Sequence, residues 1–322
     1  MIKHRLVLRC AYFLGVGGFV KALVTGAAGF VGHYLLAHLA DFGDETVATD
    51  RATGGPDLLD VPALVALLTA ERPEVVYHLA GQADVGRSWQ EPLATFRANA
   101  EGTLNVLAAA REAGVRRVVT VTSADVYGRV SPEDLPLSEQ APLQPVSPYA
   151  ASKAAADLVA QQAFVGQGQE VIRVRAFNHL GPGQSEQFVC SALAARIARN
   201  EVSGEATLRV GDLSAKRDFT DVRDVVRAYR LLAAAGHPGE AYNVCSGVSV
   251  SVQSVAEQLL ALAHHPMDLV VDQALLRPID LPDLRGDASK LHSHTGWAPA
   301  TGLKKSLSDL LEYWRLQISP AE

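Results

Sequence analysis

Cysteine is scarce in this chain: Cys10, Cys190 and Cys245 are odd in number, far apart and free of any CxxC pairing. That pattern argues against a disulfide framework and a zinc site, and it fits reduced thiols in the cytosol. HExxH, a common zinc-hydrolase signature, is also missing. The ten histidines, among them the adjacent His264 and His265 and the pair His292/His294, are read as surface residues. Basic charge is not in excess: 29 Lys and Arg stand against 35 Asp and Glu, with net charge −6 and a pI near 5.9. No nucleic-acid partner is therefore expected. Beyond the first nineteen residues no segment approaches the roughly eighteen apolar residues needed to cross a bilayer, so no membrane partner is expected.

Those first nineteen residues imitate a signal peptide, because Lys3, His4, Arg5 and Arg9 precede an apolar run from Cys10 to Val20. No polar cleavage region follows, and the run passes directly into Lys21-Ala22-Leu23-Val24-Thr25. A native start near Val20 is the more economical account, and an early membrane anchor is the alternative.

What the chain does have is apolar material, 48% over 322 residues, enough for one large α/β domain with a substrate-binding lobe or for two domains. Ala22 to Thr25 reads as a strand that enters Gly26-Ala27-Ala28-Gly29-Phe30-Val31-Gly32 and then a helical pattern through Leu39. This strand–turn–helix context gives a glycine motif meaning. Gly26 permits the tight turn, Gly29 the approach of a pyrophosphate, and Gly32 close packing of helix on strand. The spacing is GxxGxxG, not GxGxxG. Glu45 to Asp50 reads as a second strand ending in a carboxylate about twenty residues past the glycines. Asp50 would accept hydrogen bonds from an adenosine ribose and favour NAD(H); the neighbouring Arg51 could pair with a 2′-phosphate and admit NADP(H).

A helix opened by Asp60 and Pro62, a buried strand Val75 to Ala80, and a helical stretch from Pro92 to Gly114 continue the βαβ rhythm. Arg117 to Ser123 is a fourth strand ending in hydroxyls. Ligands bind beyond the carboxyl ends of parallel strands, which puts Ser123 where chemistry is expected. A Pro-rich loop from Val130 to Pro148 leads into Tyr149-Ala150-Ala151-Ser152-Lys153, and Glu170 to Ala176 forms a fifth strand. In a helix, i and i+4 share a face, so the Lys153 cation can stand beside the Tyr149 phenol. Such a cation lowers the phenol from its usual value near about 10 and suits it to proton transfer. Alone, a YxxxK string is also an ordinary helix surface.

Several motifs in order give that string its company: TGAAGFVG at 25–32, Asp57-Leu58, HLAG at 78–81 with Ala80, Asn99-Ala-Glu-Gly102-Thr103, SADVYG at 123–128, YAASK at 149–153 and FNHLGPG at 177–183. From about Lys21 to Arg315 the chain resembles the extended short-chain dehydrogenase/reductases that act on nucleotide sugars. The resemblance implies a Rossmann-type doubly wound parallel sheet with a smaller C-terminal α/β lobe, and a nicotinamide cofactor held by the glycine turn, Asp50, Asp57, Leu58, Ala80, Tyr149 and Lys153. It implies that Ser123 hydrogen-bonds the reacting C4 oxygen, that Tyr149 is the acid/base, and that Lys153 binds the nicotinamide ribose and tunes Tyr149. Tyr127, with no lysine four residues on, is taken as packing.

The C-terminal half looks closest to the GDP-mannose branch, through Arg209 to Asp224, Tyr242 to Gly247 and Arg277 to Pro282. An acidic protein holding a diphosphate needs directed guanidiniums. Arg217 and Arg277 are carried over for that task, and Asn178 for the sugar nucleotide. Arg223 reads better as a surface salt bridge. Phe188 and Val189 either line the nucleoside pocket or, at helical spacing with Leu193 and Ile197, belong to the core.

Dehydratases of this group resemble one another in a Thr-x-Glu signature whose glutamate assists loss of water across C5 and C6. Here Ser123-Ala124-Asp125 is aligned, with Asp125 one methylene shorter, and the turn lacks the GQDG of the GDP-mannose dehydratases. Both departures favour a reductase acting on GDP-4-keto-6-deoxy-D-mannose. The 4,6-dehydratase, a 4-epimerase and a non-catalytic cofactor-binding regulator are the alternatives; intact Ser123, Tyr149 and Lys153 weigh against the last. Residues 20–176 and 217–247 are expected to form the cofactor domain, and 177–216 and 248–322 the nucleotide-sugar lobe. A cytoplasmic homodimer pairing through the Ala-rich helices at 100–113 and 150–165 is implied, unless their alanines only pack on the sheet.

Overall fold

A computed structural model of the chain describes residues 20–275 and 281–318. The strands, in chain order, are β1 (Lys21–Thr25), β2 (Glu45–Thr49), β3 (Val75–His78), β4 (Arg117–Ser123), β5 (Glu170–Ala176), β6 (Asn178–Leu180), β7 (Thr207–Val210), β8 (Lys216–Asp221), β9 (Ala241–Val244), β10 (Ser249–Ser251), β11 (Asp268–Val271) and β12 (Asp283–Leu284). The α-helices are α1 (Phe30–Asp41), α2 (Val61–Glu71), α3 (Val85–Gln90), α4 (Pro92–Phe96), α5 (Gly102–Glu112), α6 (Pro148–Gln167), α7 (Val189–Ser203), α8 (Val222–Ala235), α9 (Val252–Leu260), α10 (Ser289–Thr295) and α11 (Leu303–Ile318).

The main sheet has six parallel strands in the order β2-β1-β3-β4-β5-β9, the doubly wound architecture expected. All four residues of β3 are buried, as are six of the seven of β5. Strands covered on both faces must be apolar along their length, which is why they read as continuous runs. On one face α1 and α8 contribute Leu35, Leu39, Val225, Tyr229 and Leu232, joined by Leu291 of α10 and Trp297. On the other face lie Leu64 and Leu68 of α2, Val106 and Ala110 of α5, and Ala160 and Ala163 of α6. Each fully buried leucine contributes about 1.5–3 kcal/mol.

Strand order reverses between β1 and β3, and the crevice beyond their carboxyl ends is where such sheets bind ligands. After β5 the chain crosses into a second sheet, β10-β8-β12 with β6 paired to β8, while β7 pairs with β11. A separate core of Leu193, Ile197, Val255, Leu259, Leu307 and Leu311 holds α7, α9 and α11 there. Among the described residues no helix is long and apolar enough to cross a membrane.

Candidate active site

The glycine turn is shaped by contact as well as by backbone. Gly26 has φ +71°, and a Cβ there would lie 2.7 Å from the backbone nitrogen of Ala80 at the end of β3. A Cβ on Gly32 would lie 2.3 Å from the Gly26 carbonyl oxygen. Only glycine fits either place. Helix α1 then starts at Phe30 with no side-chain cap and no acid in its first turn. Its first N–H groups and the positive end of its dipole suit a phosphate. Val31 packs into the main core, and Phe30 stacks on His179 (centroids 6.2 Å apart, planes at 6°), tying the turn to β6.

Asp50 directly follows β2, and its carboxylate accepts from Ala52 N at 2.8 Å and Ala28 N at 3.3 Å, thereby bracing the glycine turn. Arg51, 82% exposed, reaches Asp57 at 3.4 Å. Asp57 also accepts from Leu59 N, and Leu58 lies beside Gly102, where a Cβ would meet it at 3.0 Å. The expected adenosine-end residues therefore gather at one edge of the crevice.

Ser147 caps α6 by accepting from Ala150 N at 3.1 Å, with Pro148 at the first helical position, and this start sets Tyr149 and Lys153 in the first two turns. Both side chains are buried. Ser123, at the end of β4, is hydrogen-bonded to the Tyr149 phenol, and the Asp125 carboxylate is close enough to act on it. The expected lowering of the phenol does not hold. Burial raises it above 10, Asp125 raises it further, and the Ser123 hydrogen bond only partly offsets them. Lys153 Nζ donates to the Val121 carbonyl at 3.1 Å, and burial pulls its ammonium down to about 8.

On the lobe side, Asn178 is exposed at the start of β6, directly beyond β5. Phe188 and Val189, 37% and 39% exposed at the start of α7, face outward while Leu193 and Ile197 are core, so neither belongs to the core. Arg217 Nη1 donates to the carbonyls of Lys216 (2.7 Å) and Leu281 (2.6 Å). Arg277 lies outside the described residues. Arg223 makes the expected ion pairs, with Asp221 at 2.7 Å and Asp309 at 2.9 Å.

Two further expectations need correction. Tyr127 does more than pack: its hydroxyl donates to Asn243 Oδ1 (2.6 Å) and accepts from Arg175 (3.1 Å), within a buried network where Asp157 of α6 holds Arg173 and Arg175. The histidines are not all on the surface, since His78 is 2% exposed with both ring nitrogens engaged. Asn99, part of a quoted motif but given no role by it, is 1% exposed in a π-turn (Arg97–Glu101), the kind of helical bulge that marks functional sites. Its side chain binds the backbone of Gln82 at 2.8 and 3.0 Å and Ser152 Oγ at 2.9 Å, fastening α6 to the loop after β3.

Comparison with known proteins agrees with this geometry. The family model described as GDP-mannose 4,6 dehydratase matches residues 55–310. GDP-6-deoxy-D-mannose reductase of Pseudomonas aeruginosa is 38% identical over 300 residues, covering 92% of this chain and 98% of the relative. The solved structure of RMD from Pseudomonas aeruginosa complexed with NADPH superposes with a TM-score of 0.85 at 37% identity, over 93% of this chain and 100% of that one. UDP-glucose 4-epimerase of Thermus thermophilus in complex with NAD gives a TM-score of 0.82 at 29% identity, over 92% and 99%.

Proposed function

The chain belongs to the extended short-chain dehydrogenase/reductases, within their GDP-mannose 4,6-dehydratase family, and from that premise we propose that it reduces the C4 ketone of GDP-4-keto-6-deoxy-D-mannose. The observation that carries this is the placement of the buried Tyr149 phenol beside Ser123 and Asp125, with Lys153 one helical turn on. Turning a ketone into an alcohol takes one hydride and one proton, and the Tyr149 phenol, protonated at neutral pH, is placed to give that proton. The crevice beyond β1 and β3 would hold a reduced nicotinamide dinucleotide, which would supply the hydride. Gly26, Gly29 and Gly32 with the start of α1 would hold its pyrophosphate, and Asp50, Arg51, Asp57 and Leu58 its adenosine end. Ser123 orients the C4 oxygen, Tyr149 gives it a proton, and the Lys153 ammonium steadies the phenolate left behind.

For the substrate, Arg217 and Arg277 would meet the diphosphate, Asn178 the sugar, and Phe188 and Val189 the nucleoside. Asp125 supports reduction over dehydration, since it falls a methylene short of a base for C5 and instead holds the proton on Tyr149. The protein is proposed to act as a cytoplasmic homodimer, consistent with free, buried Cys190 and Cys245. Leu93, Leu104, Leu158 and Val165 stay exposed on α4, α5 and α6, although Ala109, Ala110, Ala160 and Ala163 of α5 and α6 turn inward to the sheet. Exposed leucines on adjoining helices are what a paired bundle would cover.

Two parallel reactions test the assignment: GDP-4-keto-6-deoxymannose with NADH or NADPH, and GDP-mannose with catalytic oxidised cofactor. Net loss of reduced nicotinamide in the first is expected. A 4-keto sugar formed only in the second, without net cofactor change, would make Asp125 a dehydratase base and overturn the proposal.

A further inference from the structure

His78 takes no part in the chemistry above, yet it lies between the cofactor turn and the helix that carries Tyr149. Thr25 Oγ1 is 2.8 Å from its Nδ1, and Thr103 Oγ1 is 3.1 Å from its Nε2. The Thr103 hydroxyl is also 2.6 Å from the Asn99 carbonyl, which can only accept, so its single proton points there. Thr103 must then accept from Nε2–H; burial, with the Lys153 charge nearby, pulls the imidazole down to about 3, so the ring is neutral and its Nδ1 is left bare to accept from the Thr25 hydroxyl. The Thr25 oxygen in turn accepts from Ala80 N at 3.3 Å, the same backbone that presses against Gly26. At the far end, the Asn99 amide donates to Ser152 Oγ at 2.9 Å, and Ser152 donates to the Tyr149 carbonyl at 2.7 Å.

Every donor in this path therefore points the same way, from Ala80 through Thr25, His78, Thr103, Asn99 and Ser152 to Tyr149. The side chains of Thr25, His78, Thr103, Asn99 and Ser152 are no more than 4% exposed, so water cannot replace a missing link cheaply. His78 completes the path in a single form.

We infer that His78 is a positioning residue which, as the neutral Nε2–H tautomer, locks the dinucleotide turn in register with the helix that presents Tyr149 and Lys153. The inference rests on the proposed reaction for its turnover measurement alone. Thr103→Val cuts the path at a residue to which no contact with cofactor, substrate or the reacting atoms is assigned, and Thr103→Ser restores the hydroxyl. Three readouts apply: the His78 tautomer by 15N NMR on the cofactor-free protein, NADPH affinity by fluorescence, and kcat with the 4-keto sugar.

Neutral Nε2–H is expected in the wild type at pH 7. Thr103→Val is expected to weaken NADPH binding and lower kcat by about tenfold each, the scale of one buried hydrogen bond, and Thr103→Ser to recover both to within about twofold. An imidazolium or Nδ1–H tautomer in the wild type overturns the inference even if Thr103→Val fails to fold. So does a folded Thr103→Val with a lower Tm but unchanged NADPH affinity and kcat, the mark of a merely structural link. A wild type that has the expected tautomer and binds NADPH but ignores the keto sugar removes the assigned reaction and leaves the NADPH measurement to decide on His78.

Discussion

Replacing Lys153 with Met should make the enzyme inactive and, without cofactor at neutral pH, more stable. The ammonium is buried, and burial pulls it from 10.5 to about 8 in the folded state. Some 2.5 pH units at about 1.4 kcal/mol each correspond to about 3 kcal/mol by which the folded state disfavours the charged amine at pH 7. Methionine fills similar volume without charge but leaves the Val121 carbonyl without its donor, a loss of about 1 kcal/mol. A net gain of about 2 kcal/mol remains, or about 3 °C in Tm for a chain of this size.

The pH dependence identifies the cause. Between about pH 8 and 10.5 the unfolded chain still binds the proton that the folded chain has released, so wild-type stability rises with pH there relative to the variant. The advantage of Lys153→Met should thus be full below pH 8 and fade toward pH 10.5. Urea unfolding of both proteins at pH 7, 8, 9 and 10 without cofactor measures this, since the difference cancels other titrating groups. A variant less stable than wild type at pH 7, or a difference that does not change with pH, refutes the reasoning.

Tyr149→Phe should lower kcat by about 10²–10⁴, the range for a positioned proton donor, with little change in NADPH affinity by fluorescence; retained biological function would favour a regulator instead. Arg51→Ser should raise KM for NADPH about tenfold and leave NADH unaffected, and equal effects on both coenzymes would mean that Arg51 does not meet a 2′-phosphate. Leu158→Glu, at a position 56% exposed on α6, should shift the sedimentation coefficient from dimer to monomer, whereas unaltered sedimentation removes that face from the interface. Asp157→Asn leaves Arg173 and Arg175 buried beside a neutral amide and should lower urea-unfolding stability by about 3–5 kcal/mol; a loss under about 1 kcal/mol would show that the network relaxes around it.

What the sequence by itself determined is whatever short-range geometry can encode. Apolar runs such as Val75 to Leu79 announced strands covered on both faces, Gly26 and Gly32 announced a turn too tight for any Cβ, and a spacing of four put Tyr149 and Lys153 on one helical face. The motifs then assembled those pieces into a recognisable order. Only the tertiary structure decided that Asp50 spends its carboxylate bracing the glycine turn, that Tyr127 belongs to a buried ionic network, and that Phe188 and Val189 face outward. It also reversed the direction of the Tyr149 shift, because desolvation depends on everything packed around the phenol and not on the lysine one turn away. His78 shows the reason most plainly. Its partners Thr25 and Thr103 are 53 and 25 residues distant, and a hydrogen bond across such separations exists only once the whole sheet has brought its strands into register.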